Sequence, residues 1–244
     1  MIVYLTSHIG GSYKVGMRRF PAPIFSANGL LDSLKAHWTD NASVLFIAAS
    51  SEDAERNDGI CACFAAAFPM SGLSLRRIDC CDARREELVK RLKEYDVIIL
   101  SGGHVPTQNA FFEKLGLKEQ LKDYNGIVIG ISAGTMNCAE TVYAQPEIPG
   151  ETEDPDYDRF MPGLGLTKVM VLPHWQEIKD DTLDGKRILE DITLPDSMGR
   201  TFYALHDGSY ILSENGTEQV YGEAYRIRDG MMEKICDNGQ RVLL

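Results

Sequence analysis

Little in the 244-residue chain suits a polyanion or a membrane as its partner. Lys and Arg number 25 against 36 Asp and Glu, for a formal charge of −11. A phosphate backbone and an anionic lipid surface both reward the opposite sign. No apolar run approaches the roughly 20 residues that cross a bilayer. The opening MIVYLTSHIGG lacks a basic start and a small-residue cleavage site, so it reads as a first strand and not as a secretory signal. Cysteine is sparse: Cys61, Cys63, Cys80, Cys81, Cys138 and Cys236 include no C-x-x-C pair and no zinc-ligand spacing. They read as small buried hydrophobes of a reducing compartment, and the chain as cytoplasmic. Cofactor fingerprints are missing too. Gly11 to Gly16 continues as Met17-Arg18, without the Lys and Ser/Thr of a phosphate loop, and Gly163-Leu164-Gly165 does not extend to a dinucleotide motif. Asp154, Asp156 and Asp158 mimic the start of a calcium loop, but Arg159 stands where glycine is needed and Gly165 where glutamate is. The expectation is no cofactor and no metal.

What is present is an ordinary globular composition, 44% hydrophobic and 25% charged, ample for a sizeable core. Short apolar runs at 2–6, 43–49, 73–78, 96–100 and 126–131 are rich in Val and Ile and apolar at nearly every position. That pattern suits strands buried on both faces of a parallel sheet. Helical patterns lie between them near 29–38, 58–68, 82–95, 107–123, 133–141 and 180–191. In 82–95, Asp82 is placed to cap, and Glu86/Lys90 and Glu87/Arg91 are spaced as i,i+4 pairs. The alternation predicts an α/β fold: an open, mostly parallel sheet flanked by helices in one domain over residues 1–244. After residue 200, strand-like segments separated by Asn215-Gly216, Asp229-Gly230 and Asn238-Gly239 predict β-hairpins added to the sheet edge. Between Pro146 and Gly163 runs a long acidic loop with six acids from Glu147 to Asp158, placed to border a site.

Gly130-Ile131-Ser132-Ala133-Gly134 carries the strongest chemical signal. It fits G-x-S-x-G where that motif belongs, after a strand and before a helix, so Ser132 is a candidate nucleophile. The plain alternative is a helix-capping serine between turn glycines. A serine nucleophile needs a base and the base an orienting carboxylate. His174 follows the strand KVMVL at a carboxyl end, on the side of the sheet where Ser132 falls. Asp207 follows TFYAL and opens a tight turn; its neighbour His206 is a rival base, but adjacent strand residues point to opposite faces. Ser101-Gly102-Gly103-His104 follows another strand. One N–H there, with that of Ala133, would complete an oxyanion hole. Arg18, Arg19, Arg159 and Arg187 are candidates for holding an anionic group, with ordinary salt bridges as the alternative.

Together SGGHVPTQN (101–109), IGISAGTMNCAE (129–140), GLGL (163–166), LPHW (172–175) and ALHDGSYIL (204–212) resemble the peptidase E family. That family comprises aspartyl dipeptidases and the related cyanophycinases, serine peptidases on the class I glutamine amidotransferase-like, flavodoxin-like fold. The resemblance implies Ser132 as nucleophile, His174 as general base and Asp207 as its orienter, with the N–H groups of Gly103 and Ala133 as oxyanion hole. Two positions depart from the family pattern: Asp207 matches a position that is typically glutamate, and His104 one that is usually asparagine. His104, Arg159 and Arg187 are the expected substrate contacts. The amidotransferases themselves carry cysteine at this turn, and Cys138 lies six residues too late. The implied function is hydrolysis of short peptides, with N-terminal Asp as one substrate, by a monomer or homodimer. A cyanophycinase-like isopeptide hydrolase and a binding protein that keeps the pocket without catalysis stay open.

Overall fold

The computed structural model describes residues 1–16 and 18–244. Its centre is an eight-stranded sheet. In spatial order the strands are Arg241–Leu243, Thr217–Tyr221, Tyr210–Glu214, Ile2–Thr6, Ile127–Ile131, Val97–Leu100, Ala42–Ile47 and Leu75–Cys81. The last five named are mutually parallel; the first three join antiparallel to the edge made by Ile2–Thr6. The sheet is the α/β architecture expected from the alternating pattern.

The continuous apolar runs have a simple reason. Along each central strand successive side chains enter different cores, as the two-residue period requires. Val3, Leu5, Leu45, Ile47, Ile98 and Leu100 enter one layer. Tyr4, Val44, Phe46, Ile99, Ile129 and Ile131 enter the other. Helix Ala54–Met70 covers the second layer, its first turn capped by the Asp53 carboxylate, which accepts from the Arg56 N–H at 3.2 Å.

Three parts differ from the sequence expectation. The C-terminal strands do not all extend the main sheet. The hairpin Ala224–Arg228/Met231–Cys236 leaves it to form a second, four-stranded sheet with Met170–Leu172 and Thr201–Leu205. Residues 180–191 are not one helix: a small hairpin, Thr182–Leu183/Lys186–Arg187, turns at Asp184-Gly185 and only Ile188–Thr193 winds helically. Asp184 at φ 51° and Gly185 at φ 78° take the left-handed conformation such a turn demands. Within 82–95 the helical residues are Glu86–Glu94, wound largely as a 3₁₀ helix. Three residues per turn align i with i+3, so Arg91 pairs with Glu94, Glu86 reaches Lys114, and the i,i+4 pairs do not form. Asp82 holds Arg84 and caps no helix.

One element was not expected at all. Gly10–Val15 and Arg18–Ile24 form a β-hairpin folded over helix Ala54–Met70. Gly11 lets it sit there: a Cβ at this residue would lie 2.6 Å from the Phe64 ring.

Candidate active site

Ser132 sits between the strand Ile127–Ile131 and the helix Ala133–Asn137 with φ 53° and ψ −117°, a conformation a non-glycine residue rarely adopts. The flanking glycines explain how so sharp a turn fits. A Cβ on Gly130 would lie 2.7 Å from the Thr135 Cα, and one on Gly134 would lie 2.1 Å from the Leu100 carbonyl oxygen. The turn is anchored from below. The Ser132 N–H donates to the Thr6 carbonyl at 3.1 Å. The Thr135 hydroxyl both accepts from the Thr6 N–H and donates to its carbonyl.

Gly102 approaches this turn closely, and Gly103 is pressed against Ala49. A Cβ on Gly102 would be 3.2 Å from the Ser132 Cβ, and one on Gly103 would be 2.5 Å from the Ala49 Cβ. Ala133 is the first residue of its helix, so its N–H is one of the donors a helix start leaves unpaired. Among the described residues neither the Gly103 nor the Ala133 N–H is given to a carbonyl elsewhere in the backbone.

His174 also holds a left-handed backbone, φ 55° and ψ 38°. Its Nδ1 is 2.8 Å from Asp207 Oδ1. Ser7 locks the pair together: its hydroxyl donates to Asp207 Oδ1 at 2.5 Å and accepts from the His174 backbone N–H at 2.7 Å. Thr6 and Ser7, consecutive residues at the carboxyl end of the first strand, thus hold the serine turn and the His174–Asp207 pair respectively. Burial by itself would lift the Asp207 pKa, but its hydrogen bonds from His174 and Ser7 outweigh this and hold it at about 2. For His174, burial acts to lower the pKa. The hydrogen bond and charge of Asp207 overcome it, and the net shift is upward.

Ser132 and His174 line two clefts together. The smaller, about 110 Å³, is bounded by Val105, Met136, Ile178 and Ile188 and by the acids Glu147 and Asp181. The larger, about 390 Å³, lies under the unexpected hairpin and is bounded by His8, Lys14, Arg19 and Arg56 over Phe46, Ile60 and Phe64. Gly103 lines both. Ser132 Oγ is not hydrogen-bonded to the imidazole among the described residues; such contacts commonly tighten only around a substrate.

The remaining candidates lie elsewhere. Arg159 is bound to Asp196, and Arg187 to Asp191; neither lines either of the two clefts at Ser132, where substrate contacts were expected of them. Their acids lie close by in the sequence or the fold and claim them first. His104 also lines neither cleft: Nδ1 meets the Thr107 hydroxyl and Nε2 meets Glu151, both at 2.7 Å. It fastens the acidic loop, whose Pro146 and Glu147 border the smaller cleft as anticipated. His206 faces Glu223 and the Tyr225 ring. Cys138 is fully buried and donates its S–H to the Gly134 carbonyl. In the acidic loop, Asp154 and Asp158 accept from backbone N–H groups two residues on, the habit of turn aspartates. Asp58, Cys80 and Asp82 come within reach of a common cation, but the Arg84 guanidinium already bonds both carboxylates.

Sequence reasoning passed over Ser7, Lys14, Arg56 and His8. Ser7 had one legible signal, its place at the carboxyl end of a strand neighbouring the one that leads to Ser132. The cations had none, because the hairpin and helix that carry them meet only in the tertiary fold.

No curated protein matches the sequence. The fold is similar to the crystal structure of a protein from Listeria monocytogenes EGD-e provisionally described as a peptidase E. The TM-score is 0.58 at 15% identity, over 96% of this chain and 98% of that one. The profile of peptidase family S51 matches residues 25–221, most of the chain and all of the elements that carry Ser132, His174 and Asp207. The chain therefore belongs to peptidase family S51 and is a serine-type peptidase of the peptidase E kind.

Proposed function

We propose that the protein hydrolyses amide bonds of short peptides through Ser132, His174 and Asp207, by way of an acyl-enzyme. Ser132 Oγ attacks the carbonyl carbon as His174 Nε2 takes its proton, and the Gly103 and Ala133 N–H groups hold the oxyanion. His174 returns the proton to the leaving nitrogen, the C–N bond breaks and the amine departs. Water, deprotonated by the same imidazole, then releases the carboxylic acid and restores Ser132.

The observation that supports this reading most is the chain of contacts behind the imidazole. Asp207 accepts from His174 at Nδ1, which leaves Nε2 as the proton acceptor, and the cleft that His174 lines is also lined by a serine in a strained, outward-turned conformation. An N-terminal Asp substrate is compatible with the cations of the larger cleft. Turnover of a dipeptide library, read as free amino acid, tests the reading. The wild-type protein is expected to release amino acids and Ser132→Ala to release none, with an unchanged melting temperature. Stoichiometric labelling of Ser132 by a fluorophosphonate separates an enzyme from a pocket-retaining binding protein, and full activity in Ser132→Ala would refute the assignment.

A further inference from the structure

Away from Ser132, Arg84 draws helix Ala54–Met70 onto the end of strand Leu75–Cys81. Its Nη1 and Nη2 donate to Asp58 of the helix at 3.0 and 2.6 Å, and Nη2 also donates at 2.7 Å to Asp82, which follows the strand. Asn57 of the helix donates to Asp82 as well, at 3.4 Å. Two cysteines occupy the adjoining positions. Cys61 stands three residues beyond Asp58, on the same helix face, and Cys80 two residues before Asp82, on the same side of an extended chain. Cys80 Sγ accordingly lies within 4.8 Å of carboxylate oxygens of both Asp58 and Asp82. The Cys61 thiol donates a hydrogen bond to the Cys80 sulfur. Cys61 is buried in the layer the helix covers, and Cys80 packs against that layer half-buried, open to a small reagent. The other four cysteines are buried, and burial pushes each of their thiols up. Cys80 moves the other way. The hydrogen bond from Cys61 holds its thiol below the ordinary range, against burial and the charges of Asp82 and Asp58, and Arg84 acts in the same direction as Cys61.

We propose that Cys80 and Cys61 are a redox-active dithiol, oxidised by hydroperoxides to a disulfide that joins helix Ala54–Met70 to strand Leu75–Cys81. The Cys80 thiolate attacks the peroxide, the O–O bond breaks, and Cys80 becomes a sulfenic acid while the departing alkoxide takes up the proton Cys80 had shed. Cys61 then attacks the Cys80 sulfur. The S–S bond forms, the S–O bond breaks, and the leaving hydroxide carries off the Cys61 proton as water. Two electrons pass from the thiols to the peroxide, and a thiol reductant reverses the change. Cys81 is no rival partner for Cys80, because adjacent strand residues face opposite layers and Cys81 lies in the other one. Helix Ala54–Met70 also carries Ile60 and Phe64 to the larger cleft at Ser132, so the bond pins one wall of that cleft. The proposal stands apart from the hydrolase reading of Ser132.

The test treats the folded protein with a slight excess of hydrogen peroxide, counts thiols, and maps peptides by mass spectrometry without reduction. Two of the six free thiols are expected to disappear, with fragment spectra placing the link between Cys61 and Cys80 and dithiothreitol restoring both. Cys63→Ser and Cys81→Ser are expected to leave the yield of linked protein unchanged. In Cys61→Ala no disulfide forms and dimedone traps Cys80 as its sulfenic acid. Alkylation of Cys80 by iodoacetamide at pH 7 should also slow roughly 10-fold in that variant, because the thiolate loses its hydrogen-bond donor. Thiols that survive peroxide sufficient to oxidise glutathione would overturn the proposal. So would a link between any other pair, a link between two copies of the chain, or Cys80 carried to the sulfinic acid while Cys61 stays free.

Discussion

Ser132 is held in its strained turn by groups that themselves take no part in bond making, and the same is true of His174. Ser7 is the clearest case, buried and bonded both to the Asp207 carboxylate and to the His174 backbone. Replacing it by alanine removes a hydrogen bond to a charged group, which is worth about 1.5–3 kcal/mol. Ser7→Ala is expected to lower kcat by roughly 10- to 100-fold with little change in KM, as steady-state kinetics would show. The pH dependence follows from the same contacts. As the proposed base His174 acts only when neutral, and its pKa is raised above the ordinary imidazole value of about 6.5. Activity should therefore climb through that raised value as pH increases. Asp207→Asn removes the charge that raises it while burial, which lowers it, remains. Its acid limb should move to lower pH, and kcat should fall by about 10⁴ because the imidazole loses its tautomer control. A pH–rate profile of the two proteins reads both effects.

At the scale of elements, the glycines around Ser132 are structural necessities of the turn. In Gly134→Ala the new methyl meets the Leu100 carbonyl, a backbone atom that cannot move without disturbing a central strand. A loss of about 3 kcal/mol or more is expected, measurable as a lower midpoint in urea. This turn was readable from sequence because its requirements are local: a strand, two glycines and a helix in immediate succession. The central strands were readable for a related reason, since burial on both faces makes every position apolar. Residues 180–191 and 82–95 misled because short amphipathic windows fit several helical and turn geometries, and the choice fell to Asp184-Gly185 and to 3₁₀ winding. The hairpin of Gly10–Val15 and Arg18–Ile24 was passed over because its strands are largely exposed and show no sustained apolar alternation, with Pro21 and Pro23 in one of them.

Across the whole molecule, the −11 charge is unevenly placed. Acids gather in the loop from Glu147 to Asp158, Glu147 and Asp181 line one cleft at Ser132, and Lys14, Arg19 and Arg56 line the other. Among the described residues no helix is long and apolar enough to cross a membrane. Stability comes from the two layers that sandwich the main sheet. Leu45, fully buried in one of them, is expected to cost about 2–5 kcal/mol on replacement by alanine, since the strand around it is fixed on both edges and cannot collapse into the space. Thermal or urea unfolding of Leu45→Ala would measure it.

The amino-acid sequence by itself determined the α/β layering and the serine turn, and its family-like motifs pointed to the histidine and aspartate that meet behind it. Each of these depends on short-range pattern: strand periodicity, glycine placement and residues at strand ends. Only the tertiary structure decided that Ser7 would bind both Asp207 and His174, that Arg159 and Arg187 would be taken by nearby acids, and that Lys14, Arg19 and Arg56 would line one cleft. Those outcomes depend on which distant segments share a surface. Charge pairing falls off over a few ångströms of space and pays no regard to separation along the chain.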